Sequence, residues 1–178
     1  MEEFFTADWH LFHKNTIGYC NRPIKSIIQM QQRMIYEHNQ VVGEDDVVWN
    51  LGDVTMLSAE YTGKVGKEVN KFNGTKHLVL GNHDSWKPTS YENAGFSTIH
   101  TATWFERDGL TFYLVHDPAK YTTIQNDPKS ILLCGHIHQL FQHLLPDKRV
   151  INVGVDVWNF KPISYNIILD LLKKYNIV

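Results

Sequence analysis

Cysteine is scarce in this chain. Cys20 and Cys134 lie far apart and form no CxxC pair, so neither a disulfide framework nor a thiolate zinc site is indicated, and a reducing compartment fits. No apolar run approaches the ~20 residues needed to cross a bilayer. The opening residues, MEEFFTADWH, lack the apolar core of a secretory signal. The expectation is a cytoplasmic protein without a membrane partner. Charge of one sign is lacking too: 17 Lys and Arg against 19 Asp and Glu leave −2. The whole chain therefore makes no electrostatic argument for nucleic acid as a partner, and nucleic acid enters only as a substrate. No repeat, low-complexity stretch or linker divides the sequence, so one domain spanning 1–178 is expected.

What is plentiful is histidine, ten in 178 residues. Histidine is the commonest metal ligand and the usual proton carrier near neutral pH, so the question is where these side chains fall.

Short apolar runs of strand length occur at Phe4-Phe5, Val47 to Trp49, Leu78 to Leu80, Phe112 to Val115 and Ile131 to Leu133. A sixth, Val150 to Val155, carries Gly154 and reads as a strand with an irregular end. Between them, Ile27, Met30, Met34, Ile35 and His38 recur at helical spacing, which predicts a helix over 24–39. A weaker pattern predicts one between Ser58 and Phe72. At the C-terminal end Pro162 and Ser164 read as a start signal, with Ile167, Ile168, Leu171, Leu172 and Tyr175 as the buried stripe. The order is that of an α/β protein: a partly parallel sheet, or two packed sheets, covered by helices.

Five of the runs end on metal-type or proton-transfer residues. Phe4-Phe5 leads to Asp8-Trp9-His10, Trp49 to Gly52-Asp53, and Leu80 to Gly81-Asn82-His83-Asp84. Val115 leads to His116-Asp117, and Leu133 to Gly135-His136-Ile137-His138. Ligands of open α/β sheets bind beyond the carboxyl ends of strands, so the five tips can converge. In extended chain, i and i+2 share a side, which pairs Asp8 with His10 and His136 with His138. Glycine before each polar group permits close backbone approach. The donors are carboxylate, amide oxygen and imidazole, a set that suits Mn²⁺, iron, Zn²⁺, Co²⁺ or Ni²⁺ and is too rich in nitrogen for Ca²⁺.

Taken in order, Asp8-x-His10, Gly52-Asp53, Gly81-Asn82-His83-Asp84, His116 and Gly135-His136-x-His138 resemble the calcineurin-like metallophosphoesterase family. The segments FFTADWHLFHKNTIGYCNRP and INVGVDVWNFKPIS are similar to a small bacterial or phage branch of it. The resemblance implies a fold of two packed mixed β-sheets flanked by helices. It implies two divalent transition-metal ions, manganese first among them. Asp8, His10, Asp53 and His138 would hold one ion and Asp53, Asn82, His116 and His136 the other, with Asp53 as the bridge. It also implies that His83 acts on the phosphoryl group or the leaving group and that Asp84 orients His83. The activity implied is hydrolysis of a phosphoester by an activated water, a diester in preference to a monoester on the family's habit. The substrate would be a small or nucleotide-type phosphoester. Some members of the fold are scaffolds that have lost site residues; here every motif position is intact.

Other residues carry two readings each. His13 and Arg22 can approach a bound phosphate or belong to a solvated loop. Trp9, between two ligands, should point into the core. Trp158, Asn159 and Phe160 either line a pocket or pack against the last helix. Asn152 and Asp156 read as turn formers first and as site contacts second, and His38, His77, His100 and His143 as structural or exposed.

Overall fold

The computed structural model describes residues 1–122, 127–141 and 143–178. Its strands form two five-stranded sheets. The first has the order β10-β1-β2-β3-β4, with β1 Glu3–Thr6, β2 Val47–Asn50, β3 Thr75–Val79, β4 Thr98–His100 and β10 Ile163–Ser164. Strands β1 to β4 run parallel and β10 antiparallel to β1. The second has the order β5-β6-β7-β9-β8, with β5 Thr103–Arg107, β6 Leu110–Val115, β7 Ser130–Cys134, β8 Leu144–Leu145 and β9 Val150–Asn152. There β6, β7 and β9 run parallel, so each sheet has an edge where several carboxyl ends emerge side by side.

Each layer follows from its side chains. Phe5, Leu51, Val79, Phe112, Leu114, Ile131, Leu133 and Ile151 form one buried cluster, closed by Tyr165, Ile168 and Leu172 of the last helix, α5 (Tyr165–Lys174). A second cluster joins Trp9, Leu78, Val65, Val69, Met30, Met34 and Tyr91. Through it α2 (Ile27–Asn39), α3 (Thr62–Val69) and α4 (Pro88–Asn93) pack on the first sheet. Burying each large apolar side chain contributes about 1.5–3 kcal/mol. Ser26 caps α2 by accepting a hydrogen bond from the Gln29 amide at 3.3 Å, and Ser164 caps α5 through Ile167 at 3.4 Å.

All six expected strand segments contain strand. The expected helix over 24–39 begins at the Ser26 cap, and the one between Ser58 and Phe72 is a 3₁₀ turn, Ala59–Tyr61, running into α3. The buried stripe of α5 differs from expectation. Ile167 and Tyr175 are exposed, and Tyr165 takes the inner face with Ile168 and Leu172. Strands β4, β5, β8 and β10 and the short helices α1 (Thr16–Tyr19) and α4 were not among the elements expected from the sequence. Among the described residues no helix is long and apolar enough to cross a membrane.

Candidate metal centre

The tips of β1, β2, β3, β6 and β7 meet at one place. Backbone hydrogen bonds lace the first two loops together: Asp8 N to Gly52 O at 2.9 Å, His10 N to Asp53 O at 2.9 Å and Leu11 N to Val54 O at 2.8 Å. Gly135 N bonds His116 O at 3.1 Å and draws the second sheet's tips together. The expected alternation along extended chain is not what aims the side chains. The strands end before the site, and Asp8, His10, Asp53, His136 and His138 all have positive φ, between 43° and 73°. Such backbone costs roughly 1–3 kcal/mol per non-glycine residue and persists only where its surroundings impose it. The glycine argument holds most plainly at Gly52, with φ 100°. A Cβ there would stand 2.5 Å from Gly81 N and 2.6 Å from the His116 ring.

The structure brings together all seven residues expected to bind metal. Asp8, His10 and His138 form one group of converging donor atoms, and Asp8, Asp53 and His116 another, each within 4.8 Å. Asn82 Oδ1 lies 2.8 Å from His136 Nδ1 and 3.0 Å from His116 Nε2, joining both histidines to the second group. Asp53 Oδ2 is 3.6 Å from His10 Nε2 and 3.4 Å from His116 Nε2, between the two sets. His116 Nδ1 donates to Leu51 O at 2.7 Å, which leaves Nε2 with the lone pair.

The donors fit divalent cations on two counts. His10 is buried, yet neither of its ring nitrogens has a hydrogen-bond partner. Buried polar atoms are nearly always satisfied, so this pair is unpaired for want of a ligand. Two carboxylates, Asp8 and Asp53, are also buried among imidazoles. Burial raises the Asp8 carboxyl to about 6, against the pull of His116 and His138. Burial acts on Asp53 in the same sense but loses to His116, the His83 amide and His10, which hold it at about 2. Burial lowers His10 to about 3. The neutral imidazole of His10 and the ionised carboxylate of Asp53 are protonation states that ligation needs.

His83 stands beside this group. Its amide donates to Asp53 Oδ1 at 3.0 Å, its ring Nε2 lies 4.0 Å from Asp53 Oδ2, and it is partly exposed. Asp84 does not orient the His83 ring. Its carboxylate accepts the amides of Asp53 at 2.7 Å, Gly81 at 2.9 Å and Val54 at 3.0 Å. Its own side chain folds back under the loop, so it shapes the two ligand loops instead.

Of the two substrate candidates, His13 lines the cavity above the site, with Nδ1 2.7 Å from Thr16 Oγ1. Arg22 does not. It is buried, and its guanidinium is spent on Asp156, on the carbonyls of Asp8 and Trp9 and on Met30 Sδ. A clamp for phosphate needs free donors, and this one has none left. Asp156 lies in a turn as expected and also accepts His138 Nδ1 at 2.6 Å, while Asn152 ends β9 and donates to His138 O at 2.7 Å. The signal for Asp156 was a sixth strand tip, Gly154-x-Asp156 after β9, with the same glycine-then-carboxylate order as Gly52-Asp53. Trp9 packs inward as expected, stacked on Phe72 at 4.1 Å. Trp158 stacks on His143 at 4.0 Å, and Phe160 joins the cluster under the first sheet, not α5.

The family model of the calcineurin-like phosphoesterase superfamily domain matches residues 6–172. The chain belongs to this family. As a calcineurin-like phosphoesterase it is a metal-dependent hydrolase of ester bonds, and the family implies divalent metal ions at the donors described above. An uncharacterized protein of Methanocaldococcus jannaschii is 31% identical over 179 residues, covering 98% of this chain and 93% of its relative. The gene 66 protein of Mycobacterium phage L5 is 28% identical over 197 residues, covering 95% and 93%. The fold agrees with the crystal structure of a protein of unknown function from Aquifex aeolicus: TM-score 0.74 at 23% identity, covering 96% of this chain and 98% of that one.

Proposed function

We propose that this phosphoesterase hydrolyses phosphodiesters at a binuclear centre, with Asp53 bridging two divalent ions, manganese first among the candidates. The observation that carries the diester is the cavity over His83. It measures about 750 Å³, and its lining combines His10, His13, His83, His136 and His138 with Tyr19, Met56, Ile137 and Leu140 and includes, among the described residues, no lysine or arginine. A phosphomonoester brings up to two negative charges and exposes three oxygens that call for fixed cations. A diester brings one charge and a second organic arm, which needs room and an apolar wall. The cavity offers the second set of conditions.

Divalent ions at these donors would supply charge for the phosphoryl oxygens and lower the pKa of an attacking water. The chain's own residues do the rest. Asp8, Asp53 and the four site imidazoles would hold the cations. His83, beside Asp53 and open to the cavity, stabilises charge building on phosphorus or gives a proton to the departing oxygen. His13 lies along the same wall and contacts the substrate. The substrate is a small or nucleotide-type diester, and the site of action is the cytoplasm.

Hydrolysis of bis(p-nitrophenyl) phosphate and of p-nitrophenyl phosphate with added Mn²⁺ tests the reading. The diester should show the higher kcat/KM, elemental analysis should find up to two transition-metal ions per chain, and chelation should abolish turnover. A clear preference for the monoester would overturn the diester assignment. Full activity in excess chelator with no metal bound would overturn the centre itself.

A further inference from the structure

Arg22 and Asp156 form a buried ion pair at the rim of the metal centre, and neither belongs to the motifs that define it. Arg22 Nε and Nη2 meet the two Asp156 oxygens at 2.7 and 3.2 Å. Nη2 also donates to Asp8 O at 2.7 Å, and Nη1 donates to Trp9 O at 3.2 Å and Met30 Sδ at 3.1 Å. From the other side His138 Nδ1 bonds Asp156 Oδ2 at 2.6 Å. One guanidinium therefore holds the backbone of Asp8 and, through Asp156, the ring of His138. These are two donors of the same group, contributed by different sheets.

We propose that Arg22 and Asp156 are positioning residues for the metal centre: Asp156 keeps the proton of His138 on Nδ1, so that Nε2 presents its lone pair, and Arg22 locks that carboxylate to the Asp8 turn. The proposal rests on the metal-centre reading above. The physical reason is geometric. A histidine ligand is aimed by what its other nitrogen bonds, and loss of such a partner typically weakens metal binding ~10–100-fold. Cys20 Sγ also approaches His138 Nδ1, at 3.3 Å. A thiol is a poor acceptor beside a carboxylate at 2.6 Å, so Asp156 sets the ring. The turns at Asp8 and His138 are also held at φ 61° and 43°. Unfavourable backbone of this kind must be fastened from outside; Arg22 fastens the Asp8 turn directly, and Asn152 holds His138 O at 2.7 Å while Asp156 holds the ring. Lysine at 22 would keep the charge and lose the fork.

Two readouts separate this from a general structural role. In metal-free protein with ¹⁵N-labelled histidine, the His138 Nδ1–H should appear as a protected, hydrogen-bonded proton, and Asp156→Asn should shift it and speed its exchange. In calorimetric titration of metal-free protein with Mn²⁺, Asp156→Asn and Arg22→Lys should each weaken one binding step, by ~10–100-fold for Asp156→Asn and less for Arg22→Lys, and leave the other step unchanged. If a single variant fails to fold, Arg22→Met combined with Asp156→Leu removes both buried charges together and should show the same one-site loss. Unchanged titrations in these variants, or a His138 ring protonated only on Nε2 in the wild-type protein, would overturn the positioning role. Wild-type protein that binds no Mn²⁺ would overturn the metal centre itself, so the two failures are distinguishable.

Discussion

Replacing Asp84 by alanine tests how the ligand loops are built. The carboxylate takes three amide hydrogen bonds, from Asp53 at 2.7 Å, Gly81 at 2.9 Å and Val54 at 3.0 Å. Asp84 is only 8% exposed and the amides of Asp53 and Val54 are buried, so water cannot easily take its place. An orphaned buried donor costs about 1–3 kcal/mol, which for three donors sums to about 3–9 kcal/mol. Part returns, because removing Asp84 also relieves the burial that raises its carboxyl pKa and lets the loops relax. A net loss of about 3–5 kcal/mol is expected, a large share of the ~5–15 kcal/mol that holds a domain folded. Asp84→Asn keeps one acceptor oxygen and should lose about half as much. The assay is urea unfolding of metal-free protein at neutral pH, followed by fluorescence of the buried tryptophans. Had Asp84 oriented His83, its loss would lower kcat and spare stability. A destabilisation below about 1 kcal/mol for Asp84→Ala, with kcat reduced, would refute the loop-building account.

Asp53→Asn should cost more metal than Asp8→Asn, because Asp53 faces both histidine sets, and elemental analysis of the two purified variants checks the order. Losing one negative charge about 4 Å from a cation amounts to roughly 4 kcal/mol per unit of cation charge at an effective dielectric of 20. His83→Ala should keep full metal content while kcat falls ~10²–10⁴-fold. Part of that rate should return on an aryl diester relative to an alkyl one, whose poor leaving group needs the proton. His38 is buried, with Nε2 donating to Asn73 O at 3.0 Å, and burial lowers it from 6.5 to about 4. Because its folded pKa lies below the unfolded one, its contribution is complete above about 6.5 and is lost as pH falls towards about 4. The loss is about 3 kcal/mol, and unfolding free energies of wild type and His38→Gln across that range should converge as the pH falls.

The chemistry of the centre was legible in order along the chain because each donor lies a residue or a few past a strand, and strand ends show as a change from apolar to glycine and polar residues. Asp8, His10, Asp53, Asn82, His116, His136 and His138 could all be named this way, and the parallel order of β1 to β3 followed from helices lying between the strands. The inward packing of Trp9 was legible for the same reason. Strands of two or three residues, such as β8 and β10, were not, since no periodicity can be counted over so few positions. Left-handed backbone at Asp8, His10, Asp53, His136 and His138 was also illegible. Aspartate and histidine tolerate it only where tertiary bonds impose it, so it leaves no local mark. The partners of the donors belong to the same class. Arg22 lies 134 positions from Asp156, and nothing in either neighbourhood says that they pair. Sequence alone determined which groups have the chemistry to hold a metal ion, because that depends on residue type. Tertiary structure decided that Arg22 is bound internally, that Asp84 accepts the amides of the ligand loops and that Asp156 bonds His138, because a hydrogen bond is short and directional and exists only between atoms that folding has brought within reach.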